Sequence, residues 1–303
     1  MTDIALPRPA RRPDARPARP GRPGPAGIGR LQGARFGAFY LVAVVMALFA
    51  LFPVIWLLIT SFKPQADLTA QPVVLFPHHL TVASYSTAFS QAPFGRFYLN
   101  SIIVAVSSTL LTLVIGSLAG YAIARLSFPF KRTTLLAILA FSFFPPITGV
   151  VPLFNVFRHL GLLNTYWALI IPYTFATLPV CVWLMSAYLQ DLPRELEEAA
   201  VVEGLSKLGA FVRVVLPVST PGLVTAGLIV FATDWNEFLY ALTFMTNINM
   251  RTLPVGIALY PGQYTFPWGV ISAATVIALV PLGLAVAFFQ RRLVSGLTLG
   301  AVK

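Results

Sequence analysis

Few residues in this 303-residue chain could do chemistry, and their placement excludes most reactions. There are ten Asp and Glu, three His and a single Cys. His78 and His79 are neighbours that point apart unless their loop folds back, and His159 stands alone, so no metal site is expected. Cys181 lies in an apolar run and reads as a packed thiol; it has no second cysteine for an intrachain disulfide. No G-x-x-x-x-G-K-[ST] occurs, so the chain builds no Walker-type phosphate cradle. No nucleophile–base pair stands out, and the chain is not read as an enzyme. The carboxylates are instead concentrated in two places. Glu195, Glu197, Glu198 and Glu203 fall within nine residues, and Asp234-Trp235-Asn236-Glu237 makes the densest polar patch. The first offers a binding surface, the second hydrogen-bonding groups beside an apolar run.

The surrounding sequence says what must position them. Hydrophobic side chains make up 57% of the chain, charged ones 10%, and mean hydropathy is +0.79. A soluble domain has roughly 25% charged residues, so a water-soluble enzyme or binding module is excluded. Charge-poor runs long enough to cross about 30 Å of hydrocarbon recur near 36–59, 97–124, 133–156, 165–187, 218–240 and 268–290. The pattern predicts an all-α polytopic membrane protein with six transmembrane helices over 31–303. Pro53, Pro145-Pro146, Pro152, Pro172, Pro179 and Pro281 interrupt these runs and are expected to kink them. The break near 61–96 is long enough to fold as a small cap.

Residues 1–30 hold seven Pro and seven Arg without periodicity and are expected to be a disordered tail. The net charge of +11 could signal nucleic acid or a membrane surface. The basic residues sit in the breaks between apolar runs, which favours membrane topology over nucleic-acid binding. With the N-terminus placed inside, 17 of the 21 Lys and Arg fall on the cytoplasmic side, and Lys63, Arg96, Arg158 and Arg251 fall outside. Both termini are therefore expected in the cytoplasm.

The cytoplasmic loop 191–217 is more ordered than a turn. Asp191 is placed to cap a helix with Pro193 in its first turn, and the glutamates lie where helix amides favour negative charge. Leu196, Ala199 and Ala200 share a small apolar face. Gly204 can take the left-handed stop, Ser206 can cap a second short helix, and Pro217 opens the next span. Two readings stand: a docking element for another protein, or an interfacial helix on lipid. Interfacial helices carry Lys and Arg on their polar face, whereas this one carries Glu.

Glu198-Ala199-Ala200, Gly204 and Leu216-Pro217 resemble the EAA loop of ATP-binding-cassette (ABC) importer permeases. Trp235-Asn236-Glu237-Phe238, Ser61-Phe62-Lys63-Pro64 and the ending Gly296–Lys303 resemble the carbohydrate branch, in particular the maltose-type second permease. The resemblance covers about 36–303; Glu203 stands where the family usually has Asp. It implies the type I importer permease fold and a bacterial inner-membrane subunit that binds no cofactor, with ATP used by a partner. The implied partners are a second homologous permease, two copies of an ABC ATPase and an extracytoplasmic solute-binding protein, besides membrane lipid. It implies that Glu198, Ala199, Ala200, Glu203 and Gly204 couple to the ATPase, and that a sugar or related polyol is imported.

A sugar path needs hydroxyl and amide groups. The candidates are Asp234, Trp235, Asn236 and Glu237, with Asn100, Ser101, Ser107, Ser108, Thr109, Tyr121, Asn155, Tyr173, Thr174 and Thr177 inside the spans. Polar residues in spans also serve helix packing, and a carboxylate pairing with Arg251 is as plausible for the patch as a sugar contact. The rival class is an ion-coupled secondary transporter, which the scarcity of central charges disfavours.

Overall fold

The structure, a computed structural model, describes residues 25–260 and 266–298, and the side chains of 39–260 and 266–290. Every regular element among them is helical. In chain order these are α1 (Pro25–Ser61), α2 (Gln65–Leu68), α3 (Ala83–Gln91), α4 (Phe94–Arg125), α5 (Lys131–Phe141), α6 (Pro146–His159) and α7 (Trp167–Asp191). There follow α8 (Glu195–Val202), α9 (Lys207–Ala210), a π-helical stretch at Phe211–Val215, α10 (Leu216–Val218), α11 (Thr220–Trp235), α12 (Leu239–Phe244), a 3-10 turn at Ile248–Met250, α13 (Leu253–Ala258) and α14 (Trp268–Thr298).

The helix α1 begins at Pro25, so residues 25–30 are helical where the composition predicts a disordered tail. Proline is suited to a first helical position, because its φ is preset and its missing N–H is not needed there. Residues 1–24 of that tail lie outside the described residues. The chain divides into two units at Pro53. In the first, every described side chain, from Phe39 to Pro53, is exposed. That apolar surface needs lipid or another subunit to cover it.

Among the described residues, four helices are long and apolar enough to cross a membrane: α4, α7, α14 and the stretch Phe39–Ser61 of α1. The expected third span is not one helix. Its halves α5 and α6 meet at 83°, because Pro145 and Pro146 offer no N–H to the turn before them. The expected fifth span, 218–240, is helical as α11 over Thr220–Trp235, and a bend of 78° at its start separates it from Lys207–Val218. Six spans result if each bent pair crosses once. Helix continues through Pro53, Pro152, Pro172, Pro179 and Pro281, so of the expected kink sites only Pro145-Pro146 stands at a break, where it starts α6.

The second unit is built on α4 against α7. Glycines let the two backbones close: a β-carbon added to Gly116 would lie 2.5 Å from Cys181 Sγ, and one on Gly120 would lie 2.8 Å from Met185 Cβ. This is the small-residue packing that substitutes for a hydrophobic drive inside lipid. Thr112 and Thr177 hydroxyls meet across the seam at 3.3 Å, and the fully buried Cys181 points its thiol at the Thr112 carbonyl at 3.6 Å, as a packed thiol should. Around the seam lie three apolar clusters. One joins α6, the start of α7 and α12; a second joins α3, the start of α4, α13 and α14; the third holds the ends of α4 and α7 against Phe211 and α11.

The 61–96 break does fold as a cap, with α2 and α3 inside it. Lys63 is buried at 3% exposure; its Nζ donates to the Val74 carbonyl at 2.7 Å and lies 4.6 Å from the Trp56 ring centre. Asp67 accepts the His78 backbone N–H at 2.9 Å and contacts its ring Nδ1 at 2.8 Å.

Two predictions follow from this packing. Gly120→Ala should destabilise the chain by about 1–3 kcal/mol through overpacking, whereas Gly283→Ala, with open space around it, should be near neutral. Melting of the detergent-solubilised protein checks the pair. In the cap, the His78 amide and ring hold the Asp67 carboxyl below its usual range. The stabilisation is therefore present above the ordinary Asp pKa of about 3.9 and is lost as pH falls through the lowered value. Hydrogen exchange of the His78 amide, corrected for intrinsic rates, should stay slow from pH 7 to about 5 and quicken only below about 4, while Asp67→Asn should be fast throughout.

Candidate functional site

The four-glutamate segment forms a knob below the ends of α4 and α7. Leu192, Pro193 and Arg194 connect α7 to α8. Asp191, expected to cap α8, is instead the last residue of α7, and Arg194 stands at the N-cap without a side-chain bond. Glu195, Glu197 and Glu198 occupy the first turn, where the helix dipole favours them. The turn after α8 is as read from the sequence. Gly204 sits at φ +94°, its N–H donates to Val201 O at 3.0 Å, and Leu205 N–H reaches Ala200 O at 3.1 Å. Those two bonds are the Schellman stop, which needs a left-handed residue at the glycine. Ser206 Oγ then accepts the Gly209 N–H at 3.1 Å and starts α9.

Three contacts fasten the knob to the spans. Phe211 is 2% exposed and its ring lies 4.5 Å from that of Tyr121. The Tyr121 hydroxyl donates to Glu197 Oε1. Arg125 donates to the Leu192 carbonyl at 2.9 Å and sits 3.5 Å from Glu197 Oε2. Tyr121 was a candidate for the solute path; it serves instead as the floor of the knob. Its role and that of Arg125 were not legible, because 76 and 72 residues separate them from Glu197 and no local pattern links them.

The coupling candidates divide between two faces. Ala200 is 5% exposed and packs inward, so its small side chain seats α8 on its own chain. Glu198, Ala199, Glu203 and Gly204 are exposed. Beside them Val202 is 88% exposed and Leu208 60%, giving an outward face of apolar side chains among carboxylates. Sequence reasoning missed Val202 and Leu208, although their place beside the Gly204 turn was the available signal.

The second candidate patch ends α11. Asp234 is buried, and Ser108 Oγ on α4 donates to its Oδ2 at 2.5 Å. Glu237 accepts the backbone N–H groups of Tyr240 at 2.8 Å and Ala241 at 3.2 Å, fixing the start of α12, and takes the Tyr173 hydroxyl at 2.5 Å. Trp235 is buried, with its indole N–H on the Ala278 carbonyl at 3.1 Å. Asn236 is exposed and bonds back to Ala232 O at 2.7 Å. Among the described residues, neither carboxylate forms an ion pair with Arg251; hydroxyls and amides hold both. Other polar span residues are likewise engaged internally. Asn100 donates to the carbonyls of Asn249 and Arg251, each at 2.9 Å, and Ser101 accepts the Leu253 N–H at 2.7 Å.

Comparison with known proteins places these features. The family model described as "Binding-protein-dependent transport system inner membrane component" matches residues 112–299, from mid-α4 past the knob and the α11 patch. The chain is 47% identical over 264 residues to the sulfoquinovosyl glycerol transport system permease protein SmoH of Agrobacterium fabrum, covering 87% of this chain and 93% of that one. It is 40% identical to the trehalose/maltose transport system permease protein MalG of Thermococcus litoralis, over 86% and 94% of the two chains. A crystal structure of a bacterial ABC transporter involved in alginate import contains a chain of similar fold, at TM-score 0.72, 24% identity and coverage of 86% and 97%.

The packing of Phe211 gives a direct test. Phe211→Ala should cost about 3–5 kcal/mol by opening a cavity under the knob, while Leu208→Ala should leave stability within about 0.5 kcal/mol because the side chain is exposed. Thermal melting, with limited proteolysis at 203–210 as a local readout, checks both.

Proposed function

From the premise that the chain belongs to the family of binding-protein-dependent transport system inner membrane components, we propose that the knob at 195–215 is its coupling element to the ATPase. The protein is a permease subunit of an ABC importer for a sugar or polyol, and it forms half of the membrane path. It is not an enzyme: ATP is used by a separate ATPase partner. A second permease and a solute-binding protein complete the importer.

The observation that carries the coupling role is the geometry of the knob. Its outward face offers Glu198, Ala199, Val202, Glu203 and Leu208, while Glu197, Ala200 and Phe211 turn inward to hold it. An exposed apolar pair rimmed by acids suits a cleft with an apolar floor and basic edges. Two ATPase copies would each take one such knob, one from each permease. Closure of the ATPase pair on ATP would then move the knobs, and the knob's bonds to Tyr121, Arg125 and Leu192 would carry that motion into α4 and α7. Six spans with both termini in the cytoplasm put the knob on the ATPase side, and the excess of Lys and Arg in the same segments supports that orientation. A role for Asp234, Trp235, Asn236 and Glu237 in the solute path is best assigned to shape: Asp234, Trp235 and Glu237 fix where α11 ends and α12 begins, and Asn236 is exposed at that junction.

In vesicles holding the whole importer, Glu198→Lys and Leu208→Glu should each cut ATP-driven uptake at least tenfold while leaving the melting of the isolated chain unchanged. Gly204→Val forces a β-branched residue to φ +94° and should lose both coupling and about 1–3 kcal/mol of stability. Wild-type uptake by Glu198→Lys and Leu208→Glu would sink the assignment.

A further inference from the structure

A recess of about 490 Å³ opens where α4 ends and the chain turns into α5. Arg125, Lys131 and Arg194 line it, with Ser127 and Phe128 at its rim, and no carboxylate is in its lining. Arg125 already serves Glu197 and Leu192, and among the described residues Lys131 Nζ forms one hydrogen bond, to the Ala124 carbonyl at 3.3 Å. Arg194 is exposed and forms no ion pair among the described residues. The neighbouring recess sets Glu197 and Glu198 against Arg125, Arg194 and Lys207, so the local balance stays positive.

Immediately past Lys131 the surface changes character. A groove of about 630 Å³ runs between α5 and α7, lined by Phe130, Ala137, Phe141, Phe175, Leu178 and Pro179. From Phe130 to Phe141 the helix rises about 16 Å at about 1.5 Å per residue. Half of a hydrocarbon core of about 30 Å is about 15 Å. The groove therefore has the length of one leaflet, and a basic recess sits at one end of it.

From this juxtaposition we infer that the α4–α5 turn and the α5–α7 groove bind an anionic phospholipid, its phosphate on Lys131 and Arg194 and one acyl chain along α5. Lys131 and Arg194 fit a headgroup at the membrane boundary, where each Lys or Arg contributes on the order of 1 kcal/mol. Phe128 lines the basic recess and the 80%-exposed Phe130 the apolar groove, the boundary at which aromatic side chains settle between headgroup and tail. Which leaflet supplies the lipid rests on the topology proposed above and is the cytoplasmic one. Binding itself does not depend on transport, so the two readings fail separately. A lipid seated here lies against Arg194, the N-cap residue of α8, and would brace the knob against the spans.

The test uses the full-length chain purified in detergent, alone and co-purified with its partner subunits. Native mass spectrometry counts adducts of dioleoylphosphatidylglycerol and dioleoylphosphatidylcholine, with millimolar inorganic phosphate as a competitor. The wild-type chain should retain phosphatidylglycerol in preference to phosphatidylcholine. Lys131→Gln/Arg194→Gln should weaken retention about tenfold or more, and Lys131→Arg/Arg194→Lys should restore it. Ala137→Trp fills the groove without changing charge and should also lose the lipid, and phosphate should not displace it. Equal retention by the Gln variant, or equal binding of both lipids, overturns the site. Displacement by phosphate with no effect of Ala137→Trp makes it a simple anion site. Loss of the adduct when the second permease is present makes the groove a subunit interface.

Discussion

The contact between α4 and α7 decides what the rest of the second unit can do. Lipid gives helices no hydrophobic reason to associate, so association depends on close fit and on polar groups with nowhere else to go. Gly116 and Gly120 supply the fit by letting Cys181 and Met185 approach the α4 backbone. Thr112 and Thr177 supply the polar closure. With the seam set, the last turns of α4 and α7 stand side by side, and everything below them is positioned by that pair. Tyr121 and Arg125 come from the one helix, and the Leu192 carbonyl follows the other. α11 packs against both helices and brings Asp234 to Ser108.

A second constraint is irregular backbone at membrane depth. Unpaired carbonyls facing lipid cost several kcal/mol each, so helix breaks belong where protein or water covers them. The break at 142–145 has Tyr240 on its inner side, whose hydroxyl reaches the Pro146 carbonyl at 3.3 Å. A cavity of about 340 Å³ also opens there, lined mainly by aromatic and proline side chains. The unbroken helices α4, α7 and α14 make the frame, and the two bent pairs are the elements that depart from it. A transporter needs both kinds, since a bundle of straight helices alone offers no interior to switch.

Much of this was legible in the sequence, for reasons that differ by range. Spans followed from runs of apolar residues, because a helix in lipid satisfies its own backbone. The turn at Gly204 and the cap at Ser206 followed from residues within four positions of one another, so local chemistry sufficed. The bend at Pro145-Pro146 was legible as a kink, but its 83° size was not, since it depends on what packs outside. What failed was long-range. Ser108 to Asp234 spans 126 residues and Tyr173 to Glu237 spans 64, and nothing in either neighbourhood names the other. The same limit hid the inward turn of Ala200, which resembles Ala199 in every local respect.

The distribution of carboxylates shows how few charges such a protein needs and how differently it uses them. Asp234 and Glu237 lie inside, each held by a hydroxyl donor from another span, and they act as fasteners of α11 and α12. Glu197 stands at the boundary, tied to Tyr121 and Arg125, and fixes one side of the knob. Glu198 and Glu203 face outward, with no fixed partner required by the fold. The gradation follows from solvent. A buried carboxylate has to be hydrogen-bonded to persist, whereas an exposed one is free to recognise a basic surface. Acidic side chains therefore both fasten the spans and stand exposed on the knob, and Tyr121, which meets the Phe211 ring and bonds Glu197, joins the two sets.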